Sequence, residues 1–555
     1  MSLPEPLPPT GQPGPVRRPG ASLLRSTTVF SAMTFLSRVS GLVRDQVYAA
    51  VFGASPAMDA FVVAFRIPNF MRRLSAEGSF SMAFVPVLAE YRARHDHAAI
   101  KELVDRVAGT LTAVMLVLTA AAVLAAPWIM QVFAPGFGAD TEQGRLAAEM
   151  LRITFPYALF ISLASLAGGI LNSYDRFAIP ALTPVLMNLA MITAALCVAP
   201  YMREPVLALA WGVFAAGILQ LAFQLPSLVK LGLLPRPRWG GAHAGVRKIM
   251  RLMVPTLFGA SVAQVNLLLN TIMASFLIGG SVTWLYYTDR LLEFPLGMFG
   301  VAIGTVILPH LSGRHASIDP QGFSKALDWG FRLCLMIGVP ACLGLILCAE
   351  ALIATLFQHG NFVAFDTRMS RLSLMAQATA VPAFLLVKVL APAFYSRQDT
   401  RTPVKAAVVS VAANLLFTFG LLLALLAFTE VGRAAVAAAD GHLFDALGRV
   451  PGAHACLALA IALAGWINAI QLWWYLRRAS VYEAQPGWRR FLRQLAVAGI
   501  GMTVVVLAIL WQWQDWTSWP WWERIWRLAV VVGAGAGAYA TLLWLQGIRP
   551  RDLRH

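Results

Sequence analysis

The chain has 555 residues, of which 58% are hydrophobic and 13% charged. Soluble domains carry roughly 25% charged residues, so a string of soluble domains is excluded and a bilayer is the default solvent. Lys and Arg outnumber Asp and Glu by 44 to 27, a net charge of +17, and the first question is whether that surplus lies on one side of a membrane rather than on nucleic acid.

Residues 1–21 hold Pro4, Pro6, Pro8, Pro9, Pro13, Pro15 and Pro19 with Arg17 and Arg18. That composition cannot pack a core and predicts a disordered cytoplasmic tail. Beyond it, a spanning helix needs about 20 mostly apolar residues. Stretches free of Asp, Glu, Lys and Arg occupy 107–139, 177–202, 205–229, 252–288, 294–313, 406–429, 450–476, 494–514 and 528–548. The segment 252–288 is long enough for one helix, a Gly279-Gly280 turn and the start of the next. Less apolar spans fill 27–52, 56–91, 146–172, 325–357 and 363–396. The pattern predicts an all-α, polytopic protein of about fourteen transmembrane helices.

The loops carry the orientation. With the N-terminus inside, every second loop should be basic, and they are: Arg92, Arg94 and Lys101; Arg176; Lys230, Arg236, Arg238, Arg247 and Lys248; Arg314 and Lys325; Arg397, Arg401 and Lys405; Arg477, Arg478, Arg489, Arg490 and Arg493. The intervening loops are poor in cations, and the longest, 430–450, sets Arg433 and Arg449 against Glu430, Asp440 and Asp445. Both termini are therefore expected in the cytoplasm. Six tryptophans from Trp511 to Trp522 predict an aromatic belt on the outer face between the last two spans.

The two halves resemble each other at an offset of about 224 residues. Val132-Phe133-Ala134-Pro135-Gly136-Phe137 matches Leu356-Phe357-Gln358-His359-Gly360 with Phe362, and Asp59-Ala60-Phe61 parallels Thr283-Trp284-Leu285. Each unit holds six helices, an even number, so the repeats share one orientation about an axis along the membrane normal. The expected organisation is an N-lobe at 22–235 (helices 1–6), a C-lobe at 236–480 (helices 7–12), and a segment 481–555 with helices 13 and 14 and the C-terminal tail.

Several charges fall where lipid should be. Arg38, Arg44 and Asp45 lie in the first span; Arg66, Arg72 and Arg73 in the second, near Pro68 and before Glu77-Gly78; Asp289, Arg290 and Glu293 in the eighth. Each costs about 2.5–3.5 kcal/mol if it faces lipid at the midplane. Snorkelling and ion pairs such as Arg44–Asp45 or Arg290–Glu293 are one account. The other is a cationic cavity between the lobes that holds an anion, for which the planar, permanently charged guanidinium suits phosphate.

No Walker A, G-x-S-x-G or H-E-x-x-H pattern occurs, so the chain is expected to be no enzyme and to hydrolyse no ATP. His95-Asp96-His97 reads as a solvated loop, and the five cysteines as small buried hydrophobes. No cofactor is expected; transport would draw on a coupling cation or the membrane potential. Asn266, Asn270, Asn414 and Asp399 are the polar residues of the second half that such a cation could use.

Thr34-Phe35-Leu36-Ser37-Arg38-Val39-Ser40-Gly41-Leu42-Val43-Arg44-Asp45 resembles the first-helix signature of the MurJ/MviN lipid II flippases, within the multidrug/oligosaccharidyl-lipid/polysaccharide exporter superfamily. So do Phe65-Arg66-Ile67-Pro68-Asn69-Phe70-Met71-Arg72-Arg73-Leu74, Ala76-Glu77-Gly78-Ser79-Phe80-Ser81, Tyr286-Tyr287-Thr288-Asp289-Arg290-Leu291-Leu292-Glu293-Phe294-Pro295, and the run from Ala391 to Lys405. The resemblance covers about residues 22–550; the Pro-rich tail and the longer 430–450 loop depart from it. It implies two lobes, a lipid-tail groove from helices 13 and 14, and lipid II as substrate, with Arg38, Arg44, Arg72 and Arg290 as cavity arginines and Ser37, Asp59 and Glu77 as further substrate-site positions. It also implies the bacterial cytoplasmic membrane and cell-wall synthesis and division proteins as partners, with no nucleic acid.

Other readings stay open at this level. Another polyprenyl-pyrophosphate glycan would suit the same arginines. A drug exporter of the same superfamily would favour acidic residues in the first-lobe cavity. A membrane enzyme on lipid-linked sugars would need carboxylate, His or nucleotide-sugar motifs in loops that are short here. A division scaffold would need no charges at depth.

Overall fold

A computed structural model describes residues 20–72, 80–300, 307, 311, 313 and 319–548, with side chains from 32 onward and without those of 254–263. Among the described residues every regular element is a helix. Residues 1–19 of the predicted tail, Arg73 and Glu77 lie outside them, while Gly20 and Ala21 open the first helix rather than ending a tail.

In the first half the order is α1 (Gly20–Phe52), α2 (Pro56–Arg72), α3 (Phe80–Arg94), α4 (His97–Leu124), α5 (Ala126–Phe133), α6 (Glu142–Thr154), α7 (Tyr157–Ser173), α8 (Ala178–Thr193) and α9 (Leu207–Lys230). The second half continues with α10 (Ala244–Ser275), α11 (Ser281–Pro295), α12 (Pro320–Leu347), α13 (Ala349–Leu356), α14 (Ala364–Ala378), α15 (Val381–Tyr395) and α16 (Arg401–Phe428). Then come two short helices, α17 (Glu430–Ala438) and α18 (Leu443–Leu447), followed by α19 (His454–Arg478), α20 (Trp488–Gln512) and α21 (Trp521–Leu545). The internal repeat is visible in the lengths. α4 and α12 both have 28 residues, α5 and α13 both have 8.

Nine helices among the described residues are long and apolar enough to cross a membrane, and the α14–α15 pair, bent by 41°, supplies a tenth span. The remaining long segments are α1, α2 with α3, α10, and α11. Three of these four carry the depth charges, which is why their composition falls short of a lipid-facing helix. Fourteen spans follow if all four cross.

α1 packs along α8 and meets α11 through the side chains of Asp45 and Arg290; α2 packs on α6 and α11; α10 packs on α3 and α16. These charged helices thus form the seam between the halves. At the end where α1 turns into α2, Asn361 donates from its backbone N–H to the Ala50 carbonyl (2.9 Å) and from its side chain to the Val51 carbonyl (2.6 Å). The Gly136 N–H donates to Ser275 Oγ (3.1 Å). Neither Gly136 nor Gly360 has room for a Cβ, because the backbones of Ser275 and Ala50 occupy that space. At the opposite end Lys248 of α10 pairs with Glu90 of α3.

Two buried carboxylates at matched positions fasten the segments that leave each half. Asp105 of α4 accepts the Arg236 N–H (2.7 Å) from the 231–243 linker. Asp328 of α12 accepts the Tyr482 hydroxyl (2.9 Å), the Trp488 indole N–H (2.7 Å) and Arg332 Nε (2.8 Å). The second linker thereby seats α20 against α12. Two apolar grooves flank this junction: Phe331 of α12, Trp466 and Trp473 of α19, and Tyr482 and Trp488 line one, and Val339 and Leu343 of α12 with Leu495 and Gly499 of α20 line the other.

Candidate functional site

The seam's polar centre is built from three helices. Arg44 and Asp45 are adjacent on α1 and 6% and 2% exposed. Arg44 donates to Asp45 Oδ1 from Nε (3.0 Å) and Nη2 (2.7 Å), and from Nη1 to Asn188 Oδ1 of α8 (3.0 Å). From α11, Arg290 Nε reaches Asp45 Oδ2 at 3.0 Å. One carboxylate therefore holds an arginine from each half. Tyr286, one turn before Arg290, donates its hydroxyl to Asp45 Oδ1 (2.8 Å) and accepts from Arg44 Nη2 (3.1 Å) and Arg290 Nη2 (3.3 Å). Arg290 Nη1 also pairs with Glu293 (3.0 Å), whose side chain is 58% exposed.

Burial explains the completeness of this network. A buried charge left unpaired costs about 3–5 kcal/mol, so two guanidiniums at depth require matched anions and filled donor positions. Asn188 adds the lateral constraint: its Nδ2 donates to the Ser37 carbonyl (3.2 Å) and Ser40 Oγ (2.9 Å), fixing α1 on α8.

The sequence-derived site residues divide into groups. Arg44 and Arg290 meet at Asp45. Arg38 is exposed, with its guanidinium against Gly297, where a Cβ would collide with it. Arg72, at the end of α2, donates Nε to Asn69 Oδ1 (2.9 Å). Ser37 enters through its backbone carbonyl, not through a described side-chain contact with the arginines. Asp59 stands apart from them, in the first turn of α2. It is 2% exposed and caps α11, accepting the Gly280 N–H (2.6 Å), the Thr283 N–H (2.8 Å) and the Thr283 hydroxyl (2.6 Å). A carboxylate at a helix N-terminus is electrostatically favoured there. Asp59 and Thr283 are 224 positions apart, the offset of the repeat, so equivalent positions of the two halves touch.

A second set of polar contacts joins α2 to α10 and α14 to α11. Arg66 Nη1 donates to Thr271 Oγ1 of α10 (2.6 Å), and Gln377 Nε2 to Asp289 Oδ1 (2.9 Å). Sequence reasoning gave no role to Tyr286, Asn188, Thr271 or Gln377. Tyr286 sat inside a quoted motif; the others had no local signal, because their partners are 88 to 205 residues away.

In the second half Asn414 Nδ2 donates to Asn266 Oδ1 (2.9 Å) and Asn270 Oδ1 (2.8 Å), so this trio binds itself. Asp399 lies outside the spans and caps α16, accepting the Arg401 and Thr402 N–H groups (3.0 Å each) and the Thr402 hydroxyl (2.6 Å). Desolvation alone would push its carboxyl up, but these hydrogen bonds with the nearby Arg397 charge hold it below the ordinary carboxylate value. No group of three or more His, Cys, Asp or Glu able to hold a metal occurs among the described residues.

Comparison with known proteins places this geometry. Residues 48–521 match the family model described as "Lipid II flippase MurJ". The chain is 41% identical over 542 residues to a "Probable lipid II flippase MurJ" of Vibrio cholerae serotype O1, covering 96% of this chain and 98% of that protein. It is 40% identical over 534 residues to a "Lipid II flippase MurJ" of Burkholderia cenocepacia, covering 95% and 98%. In fold it is similar to a solved lipid II flippase MurJ in an inward closed conformation (TM-score 0.75, 24% identity, 95% of this chain and 100% of that one). It is also similar to an inward-facing MATE family transporter of the MOP superfamily (TM-score 0.63, 16% identity, 82% and 98%).

Proposed function

The chain belongs to the MurJ family of lipid II flippases, and on that premise we propose that it moves lipid II, the polyprenyl-pyrophosphate-linked peptidoglycan precursor, from the inner to the outer leaflet of the bacterial cytoplasmic membrane. The observation that carries the reading is the meeting of Arg44 and Arg290, one from each half, on a single carboxylate in the seam. Charges held at that depth by both halves are what a carrier of a pyrophosphate needs, because the anion must stay paired while the halves rock about it.

Alternating access supplies the cycle. The head group enters from the cytoplasmic side, its pyrophosphate engages Arg290 with Arg38 and Arg72, and the halves part at the outer end to release it. Glu77 and Ser37 stand in the proposed site as positions implied by family resemblance. The polyprenyl tail stays in lipid along the apolar face of α20. Both termini are cytoplasmic in this reading, the energy comes from a coupling cation or the membrane potential, and cell-wall synthesis and division proteins are its partners. The chain performs no bond chemistry.

The runner-up is a flippase for another polyprenyl-pyrophosphate glycan, since the arginines read the pyrophosphate and not the sugar. The deciding experiment depletes the resident flippase of a bacterial host and measures lipid II on the inner leaflet. Expression of this chain should clear the accumulated lipid II and restore growth; persistent accumulation with well-expressed protein overturns the assignment.

A further inference from the structure

We propose that Asp45 determines specificity: it sets the charge that a head group must carry to occupy the seam. This rests on the reading of the seam as a pyrophosphate site.

The central network is electrically balanced. Arg44 and Arg290 are matched by Asp45 and Glu293. Each guanidinium nitrogen of Arg44 is engaged, by Asp45, Asn188 and Tyr286. Arg290, with its side chain 32% exposed, is the member that can turn toward an incoming anion, and its Nε is held by Asp45 Oδ2. An anion therefore competes with a carboxylate already in place.

That competition separates two kinds of lipid. A phosphodiester head group carries one negative charge. It offers Arg290 no more than Asp45 gives, and taking Arg290 leaves the 2%-exposed carboxylate with a single guanidinium. A pyrophosphate diester carries two. One phosphate replaces the carboxylate on Arg290 while the other reaches the flanking Arg38, so the anion gains contacts on both sides. Ordinary anionic phospholipids fill the leaflet from which the substrate comes. A cationic seam without Asp45 would collect them.

The test uses the full chain, purified and incubated with equimolar phosphatidylglycerol and undecaprenyl pyrophosphate, a pyrophosphate monoester that carries at least the two charges of the diester, with the retained lipids quantified by native mass spectrometry. The wild type retains undecaprenyl pyrophosphate preferentially. Asp45→Asn is expected to raise phosphatidylglycerol retention and cut that preference roughly tenfold, a change of about 1.4 kcal/mol. Glu293→Gln removes the other carboxylate on Arg290 from an exposed position, where folding is not at stake, and should cut the preference in the same direction. Tyr286→Phe removes the shared hydroxyl but leaves the charge balance, and should keep the preference. Intact preference in both carboxylate variants, with the wild type selective, overturns the inference alone. A wild type that does not favour undecaprenyl pyrophosphate overturns the inference and the site reading together.

Discussion

Asp45 and Arg44 illustrate how much one residue pair can and cannot disclose. Adjacent charges of opposite sign in an apolar span are legible from the sequence as an ion pair at depth. That the same carboxylate also takes Arg290 is not, because the partner is more than 240 residues away and is brought there by long side chains meeting across the seam. The same reason hid Asn188 and Tyr286. Arg44→Ala removes the main partner of a buried carboxylate, so it should cost about 3–5 kcal/mol of stability as well as abolish complementation in the depletion strain; thermal unfolding in detergent separates the two effects. Arg44→Lys keeps the charge but cannot fork to both Asp45 and Asn188, and is expected to express well yet complement poorly. Asp59, assigned to the substrate site by family resemblance, makes its described contacts with the α11 N-terminus. Asp59→Ala should loosen the outer seam, read as faster labelling of a cysteine placed at position 54, beside Gly280, by a membrane-impermeant reagent; unchanged labelling would remove the capping carboxylate from the gate.

At the scale of the element, charge-free stretches made α4, α8, α9, α16, α19, α20 and α21 readable and exposed the end of α10 with the start of α11 in the 252–288 run, while α1 and α2 read less cleanly because the charges that make the seam also lower the apolar signal. The linkers were not legible at all. Asp105 and Asp328 look like ordinary helix-end acids, yet each receives the segment that follows six spans. Asp328→Ala strands the Trp488 indole and the Tyr482 hydroxyl and should cost about 1.5–3 kcal/mol, with new proteolytic cleavage between 479 and 487 as the local signature. Asp399 gives a pH dependence. Its folded carboxyl titrates below its unfolded value, so its contribution to the α16 start is full above the unfolded value and is lost as pH falls through the folded one. Hydrogen exchange at the Arg401 and Thr402 amides should therefore be protected near neutrality, beyond the intrinsic rate correction, and lose that protection in acid.

For the molecule as a whole, the repeat was visible in sequence because glycines and aromatics recur at a fixed spacing, but its mechanical meaning needed three dimensions. Gly136 and Gly360, matched in the alignment of the halves, each let a turn approach the backbone of the opposite half. Gly136→Ala places a methyl where the Ser275 backbone lies, and is expected to leave the halves folded but to hold their outer ends apart, seen as a longer spin-label distance across the seam. The contact between Asp59 and Thr283 carries a different lesson. In a dimer of two identical six-helix units, the residue at this position would face its own copy. Two carboxylates there would repel, and two threonines would offer no anion to the helix end. An acceptor can face a donor on the axis only where the two units differ in sequence. The closure between Asp59 and Thr283 is thus a latch made by the inequality of the halves, which two identical units could not form in this way.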